Sequence, residues 1–120
     1  MAEDSRQILV VEDHAPLGYF IKWALDGAGW AVVGPIAAHR AAMDAARRLP
    51  LALVVIDRML QEKETFAIAE AAIERGIPCL LMSGHPHSTM PERFQDLPFL
   101  EKPFTMKALF DAVQAALSGG

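Results

Sequence analysis

Apolar residues gather in short continuous runs: "ILVV" at 8–11, "WAVVG" at 30–34, "LALVVI" at 51–56 and "CLLM" at 79–82. A weaker fifth, "PFLE", stands at 98–101. Strands with one wet face alternate apolar and polar residues, whereas strands covered on both faces read as near-continuous apolar runs. These runs therefore predict strands of a parallel sheet. Between them the period lengthens. Leu17, Phe20, Ile21, Ala24, Leu25 and Ala28 recur at helical spacing over 15–28, with Gly27 and Gly29 as stop signals. Segment 39–49 is alanine-rich and ends before Pro50; 64–75 carries Phe66, Ala69 and Ile73 and stops at Gly76. Segment 105–117 places Met106, Leu109, Phe110, Val113 and Leu117 on one stripe, with Thr105 as N-cap.

Strands alternating with helices predict an α/β fold with right-handed crossovers. One stretch breaks the rhythm. Residues 84–97, "GHPHSTMPERFQDL", hold Gly84, Pro86 and Pro91 and little apolar periodicity. At most a short helix around 88–95 is expected there. Few buried anchors are expected as well, which makes this the segment predicted to move.

Composition narrows the function classes. A chain of 120 residues suits a single domain, 1–120, and 52% hydrophobic residues suffice for one core. The net charge of −4, with no basic run, speaks against direct nucleic-acid binding, which depends on Lys and Arg neutralising phosphates. The single cysteine, Cys79, lies in an apolar run and is expected in the core. Trp23 and Trp30 are expected to pack the first helix and second strand. No signal pattern opens the chain and no run approaches a membrane span, so a cytoplasmic setting is expected.

In an open parallel sheet, sites form at the carboxyl ends of the strands. Glu12 and Asp13 follow the first strand, Asp57 ends the third, Ser83 and Gly84 follow the fourth, and Lys102 and Pro103 follow the fifth. Three carboxylates brought to one edge repel one another unless a cation sits among them. Mg2+ suits carboxylates, waters and a phosphate oxygen. Asp57 is the candidate nucleophile toward phosphorus, with Ser83 and Lys102 placed to hold phosphoryl oxygens. Each residue also has a plainer reading: Glu12 and Asp13 as helix caps, Ser83 and Gly84 as a turn, Lys102 as a solubilising edge charge. The pair His85 and His87, in a proline-flanked loop, reads as solvent-exposed rather than metal-binding.

Taken together, "VVEDH", "VVIDRML", "LLMSG" and "LEKPF" resemble the motifs of response regulator receiver domains from bacterial two-component systems. The resemblance covers nearly the whole chain, in order and spacing. It implies a flavodoxin-like, doubly wound five-stranded parallel sheet of order 2-1-3-4-5 with five helices. It also implies Asp57 as phosphoacceptor and a Mg2+ site of Glu12, Asp13, Asp57 and the Met59 backbone carbonyl. Ser83 and Phe99 match the switch residues, and Lys102 matches the phosphate-binding lysine, joined to Pro103 by a cis peptide. The implied partners are a histidine kinase or histidine phosphotransfer protein and an unspecified downstream protein, with no membrane. Three positions depart from the commonest pattern: Gln61 stands for a proline, Thr65 for a glycine and Gly84 for an alanine. With "GWAVVGP" and "IPCLLMSG", these departures resemble in part the subgroup associated with HWE or HisKA2-type histidine kinases.

The function implied is a phosphorylation-operated switch that assists its own phosphorylation and dephosphorylation but is not otherwise an enzyme. A Mg2+-dependent phosphatase of the haloacid-dehalogenase type uses a similar Asp, Ser and Lys set. It also needs an aspartate two residues after the nucleophile, where this chain has Met59, and a cap domain that is not expected here. A receiver-fold binding module that is never phosphorylated is the remaining alternative.

Overall fold

Neighbouring residues along the strands enter two different apolar cores. The computed structural model describes residues 6–119; the ends of the expected domain, 1–5 and 120, lie outside the described residues. Five parallel strands, β1 (Gln7–Val11), β2 (Ala31–Ile36), β3 (Leu51–Asp57), β4 (Cys79–Ser83) and β5 (Phe99–Glu101), form one sheet of order β2-β1-β3-β4-β5. Leu9, Val11, Val54, Ile56 and Leu81 face α2 (His39–Arg48) and α3 (Phe66–Glu74), meeting Ala42, Ala46, Phe66, Ile68 and Ala69. Ile8, Val10, Leu53, Val55, Leu80 and Met82 face α1 (Ala15–Gly27) and α4 (Met106–Ser118), meeting Ile21, Leu25, Leu109 and Val113. Two covered faces account for the unbroken apolar runs. The order reverses between β1 and β3, which opens a crevice at their carboxyl ends.

Local chemistry sets the helix ends. Thr105 Oγ1 accepts the Ala108 N–H at 3.0 Å and caps α4 as expected. The chain leaves α1 through Gly29, at φ +97°, and α3 through Gly76, at φ +80°. At the end of β2, Gly34 has φ +107°, and a Cβ there would lie 2.6 Å from the Val10 carbonyl oxygen. Gly34–Pro35 is a cis peptide that the sequence reading did not anticipate, while the cis Lys102–Pro103 peptide matches expectation. A Cβ on Gly18 would meet Pro35 at 2.8 Å, so this glycine lets α1 settle close over the end of β2.

Among the described residues, four α-helices and two single 3-10 turns stand where five helices were expected. The turns, His87–Thr89 and Glu92–Phe94, each follow a proline, Pro86 and Pro91. A proline lacks the N–H of the helical ladder, and two of them within six residues leave no room for a continuous helix. The expectation of few anchors is corrected. Met90 and Phe94, four residues apart, are both buried, and Phe94 stacks on Phe66 with ring centroids 4.6 Å apart. Trp23 is also corrected: it is 65% exposed on the outer face of α1. Trp30 is half-buried beneath the Arg6 guanidinium, and Cys79 is buried. Among the described residues no helix is long and apolar enough to cross a membrane.

Candidate functional site

Four of the five strands deliver their polar residues to the same edge, as their sequence positions suggested. Asp57 is the last residue of β3 and Glu12 follows the last of β1; both are buried, at 8% and 2% exposure. Asp13, next in the chain, is exposed. One carboxylate oxygen from each of Glu12, Asp13 and Asp57 can be chosen so that all lie within 4.8 Å of one another. Lys102 enters this group from the end of β5. Its Nζ stands 2.7 Å from Asp57 Oδ2 and 3.0 Å from Glu12 Oε1.

Three further oxygens accept main-chain N–H groups. His14 N–H donates to Glu12 Oε2 at 3.0 Å, Met59 N–H to Asp57 Oδ1 at 3.2 Å and Gln61 N–H to Asp13 Oδ2 at 2.8 Å. The plainer reading of Glu12 as a cap of α1 does not hold, since the N–H it accepts is that of His14, which precedes the helix. Burial pushes the Glu12 carboxyl above its ordinary range; the His14 and Lys102 hydrogen bonds work against the rise and the Asp57 charge adds to it. Burial works against the charged form of Lys102, but its hydrogen bonds to Asp57 and Glu12, with the charges of both, carry its pKa above the usual value.

Ser83, buried at the end of β4, accepts the His85 N–H on Oγ at 2.9 Å. Its carbonyl accepts the Lys102 N–H at 2.8 Å. Phe99 opens β5, half-buried, and its ring packs edge-to-face with the His87 ring, centroids 5.1 Å apart. Both switch candidates thus touch the start of the irregular segment. His85 and His87 are exposed, as expected.

Three contacts of the loop after Asp57 escaped the sequence reading. Met59–Leu60 pairs with Lys63–Glu64 in a short antiparallel hairpin. Buried Thr65 closes it, donating through Oγ1 to the Asp57 carbonyl at 2.6 Å and lying 3.1 Å from the Arg58 carbonyl. Arg58 reaches across to Thr89, donating to Oγ1 at 2.9 Å, with its guanidinium over the Phe66 ring. The one signal available was that Gln61 and Thr65 replace a proline and a glycine in the resembling pattern.

No family model matches the chain, and neither does any curated protein. Solved structures do. The chain is similar to SdrG from Sphingomonas melonis Fr1, in a solution structure, at 28% identity, with 98% of each chain covered and a TM-score of 0.83. It is similar to a response regulator receiver protein from Sinorhizobium medicae WSM419 at 26% identity, with 96% of each chain covered and a TM-score of 0.80. The receiver domain of the PhyR response regulator from Erythrobacter litoralis shares the fold at 18% identity, with 98% of this chain and 93% of that one covered and a TM-score of 0.81.

Proposed function

We propose that this chain, which has the fold of response regulator receiver domains, is a switch operated by phosphoryl transfer to Asp57. The observation that carries the reading is the setting of that carboxylate. It ends a central strand, one oxygen lies on the Lys102 ammonium, and the Glu12 and Asp13 carboxylates stand beside it. A carboxylate oxygen attacks phosphorus, the P–N bond of a phosphohistidine breaks, and the imidazole leaves with its electron pair and takes up a proton. An acyl phosphate is formed on Asp57.

The donor set fits Mg2+. It consists of hard carboxylate oxygens, one of them on an exposed residue, and an ammonium already lies among them where positive charge is needed. Asp13, Asp57 and the Met59 carbonyl would hold the ion, with Glu12 acting more weakly, through water. Bound there, Mg2+ supplies charge neutralisation for the incoming phosphoryl oxygens.

The chain's own residues do the rest. Lys102 exchanges part of its pairing with Asp57 for a phosphoryl oxygen. The Ser83 hydroxyl turns toward another, and it carries the His85 N–H with it. Phe99, in contact with His87, moves in the same step. The output is a population shift in 84–97 and the surface around it, and no external substrate is turned over. The donor is a histidine kinase or histidine phosphotransfer protein; kinases of the HWE or HisKA2 type are the first to try.

Acetyl phosphate with Mg2+ should raise the intact mass by one phosphoryl group, and Asp57→Asn should remove that gain. Undiminished labelling of the variant refutes the assignment.

A further inference from the structure

The turn at the tip of the hairpin has an unfavourable sequence for its shape. Gln61 has φ +52° and Glu62 φ +66°, consecutive left-handed residues joining paired Leu60 and Lys63. Two-residue hairpins of this kind favour Asn-Gly or Gly-Gly, because a Cβ crowds the left-handed backbone. Both side chains are exposed, so burial of the side chains does not explain the shape. Backbone in such a region persists where its surroundings hold it, and it clusters at functional sites.

Here the surroundings are specific. The His39 ring nitrogen Nε2 lies 2.8 Å from the Leu60 carbonyl oxygen, tying the near side of the turn to α2. Thr65 closes the base on the Asp57 carbonyl. Between these ties the Gln61 N–H points at Asp13 Oδ2, 2.8 Å away across 48 residues of sequence. Asp13 is the exposed member of the carboxylate trio and the one whose side chain has most freedom to lose.

We propose that the Gln61–Glu62 turn is a clamp whose main-chain N–H at Gln61 positions the Asp13 carboxylate to bind a divalent cation. The inference rests on the reading of Glu12, Asp13 and Asp57 as a Mg2+ site. The N–H occupies one Asp13 oxygen and leaves the other for the ion, so the carboxylate is oriented before the ion arrives. Hydrogen bonds behind metal-ligating carboxylates commonly matter about tenfold or more for affinity. Gln61 is thus a positioning residue that acts through its backbone, and the identity of its side chain matters little.

The test is calorimetric titration of the full chain with MgCl2. Replacing Gln61 by its α-hydroxy analogue turns the N–H into an ester oxygen and leaves the side chain unchanged. This ester is expected to bind Mg2+ about tenfold more weakly. Gln61→Gly keeps the donor and relaxes the left-handed backbone, so its affinity should match or exceed that of the unmodified chain. Circular dichroism melts report whether each variant is folded at the titration temperature. Binding by the ester within about twofold of the unmodified chain, while Asp13→Asn abolishes it, overturns the clamp alone. No Mg2+ uptake by the unmodified chain overturns the metal site and the clamp with it.

Discussion

Two loops leave the sheet beside Asp57, one after β3 and one after β4, and they are built in different ways. The first, 58–65, is a hairpin tied to α2, to Asp13 and to its own strand by His39, Gln61 and Thr65. The second, 84–97, is two single 3-10 turns set off by prolines, exposed from Gly84 through Thr89. Its anchors lie further on: Met90 and Phe94 in the core, and Arg93 on Glu70. Near the site it is held to the rest of the molecule by His85 N–H on Ser83, His87 against Phe99 and Arg58 on the Thr89 hydroxyl and carbonyl, and within itself by His87 on the Gln95 carbonyl and Thr89 on the Pro86 carbonyl. The contrast separates two jobs. On the proposed reading the first loop keeps a ligand sphere in shape, and the second, exposed from Gly84 through Thr89 and in contact with Ser83 and Phe99, reports the charge at Asp57.

Lys102 lies between the two jobs, and removing it should have the largest effect. Lys102→Ala leaves buried Glu12 and Asp57 facing each other without a counter-charge. Without metal the fold should lose about 3 kcal/mol, the low end for breaking a buried pair because Lys102 itself is partly exposed. Mg2+ should restore part of that loss in urea titrations, since the same carboxylates then have a cation. The pairing raises the Lys102 pKa, so its contribution is whole below the ordinary value of 10.5 and is lost as pH rises through the higher folded value. The variant should lack that alkaline loss. A variant as stable as the unmodified chain without metal would show that the ammonium contributes nothing to the resting site.

The two threonines give a direct comparison of the loops. Thr65→Val removes a buried hydroxyl from the Asp57 carbonyl and should cost about 2 kcal/mol by thermal or urea denaturation. Thr89→Val removes the exposed partner of Arg58 and should cost about 0.5 kcal/mol or less. Equal costs would mean that the loops are equally held and that the division of labour is wrong.

How much of this was legible in the sequence follows the same division. The strands could be read because two covered faces force continuous apolar runs, and Glu12, Asp57, Ser83 and Lys102 because a parallel sheet puts its strand ends on one edge. The hairpin could not be read, because Gln61 and Glu62 carry none of the glycine or asparagine signal that marks such a turn. Thr65 was hidden for a related reason: its hydroxyl serves carbonyls seven and eight residues back, a pairing that only the folded loop creates. Met90 and Phe94 share a helix-like spacing, but the prolines around them masked it. Trp23 lies off the stripe that Leu17, Ile21, Ala24 and Leu25 form, so the periodicity already placed it outward, and only its apolar character suggested packing.

Hydrogen exchange tests the division most directly. Amides of the unmodified chain are followed in Mg2+, with and without beryllium fluoride as a phosphoryl mimic. Exchange is expected to be faster at 84–89 than at 59–65 before the mimic is added, and to slow across 84–97 after it, with 63–65 unchanged. Equal protection in the two loops, with no response of 84–97 to the mimic, would contradict the claim that this segment reads the charge on Asp57.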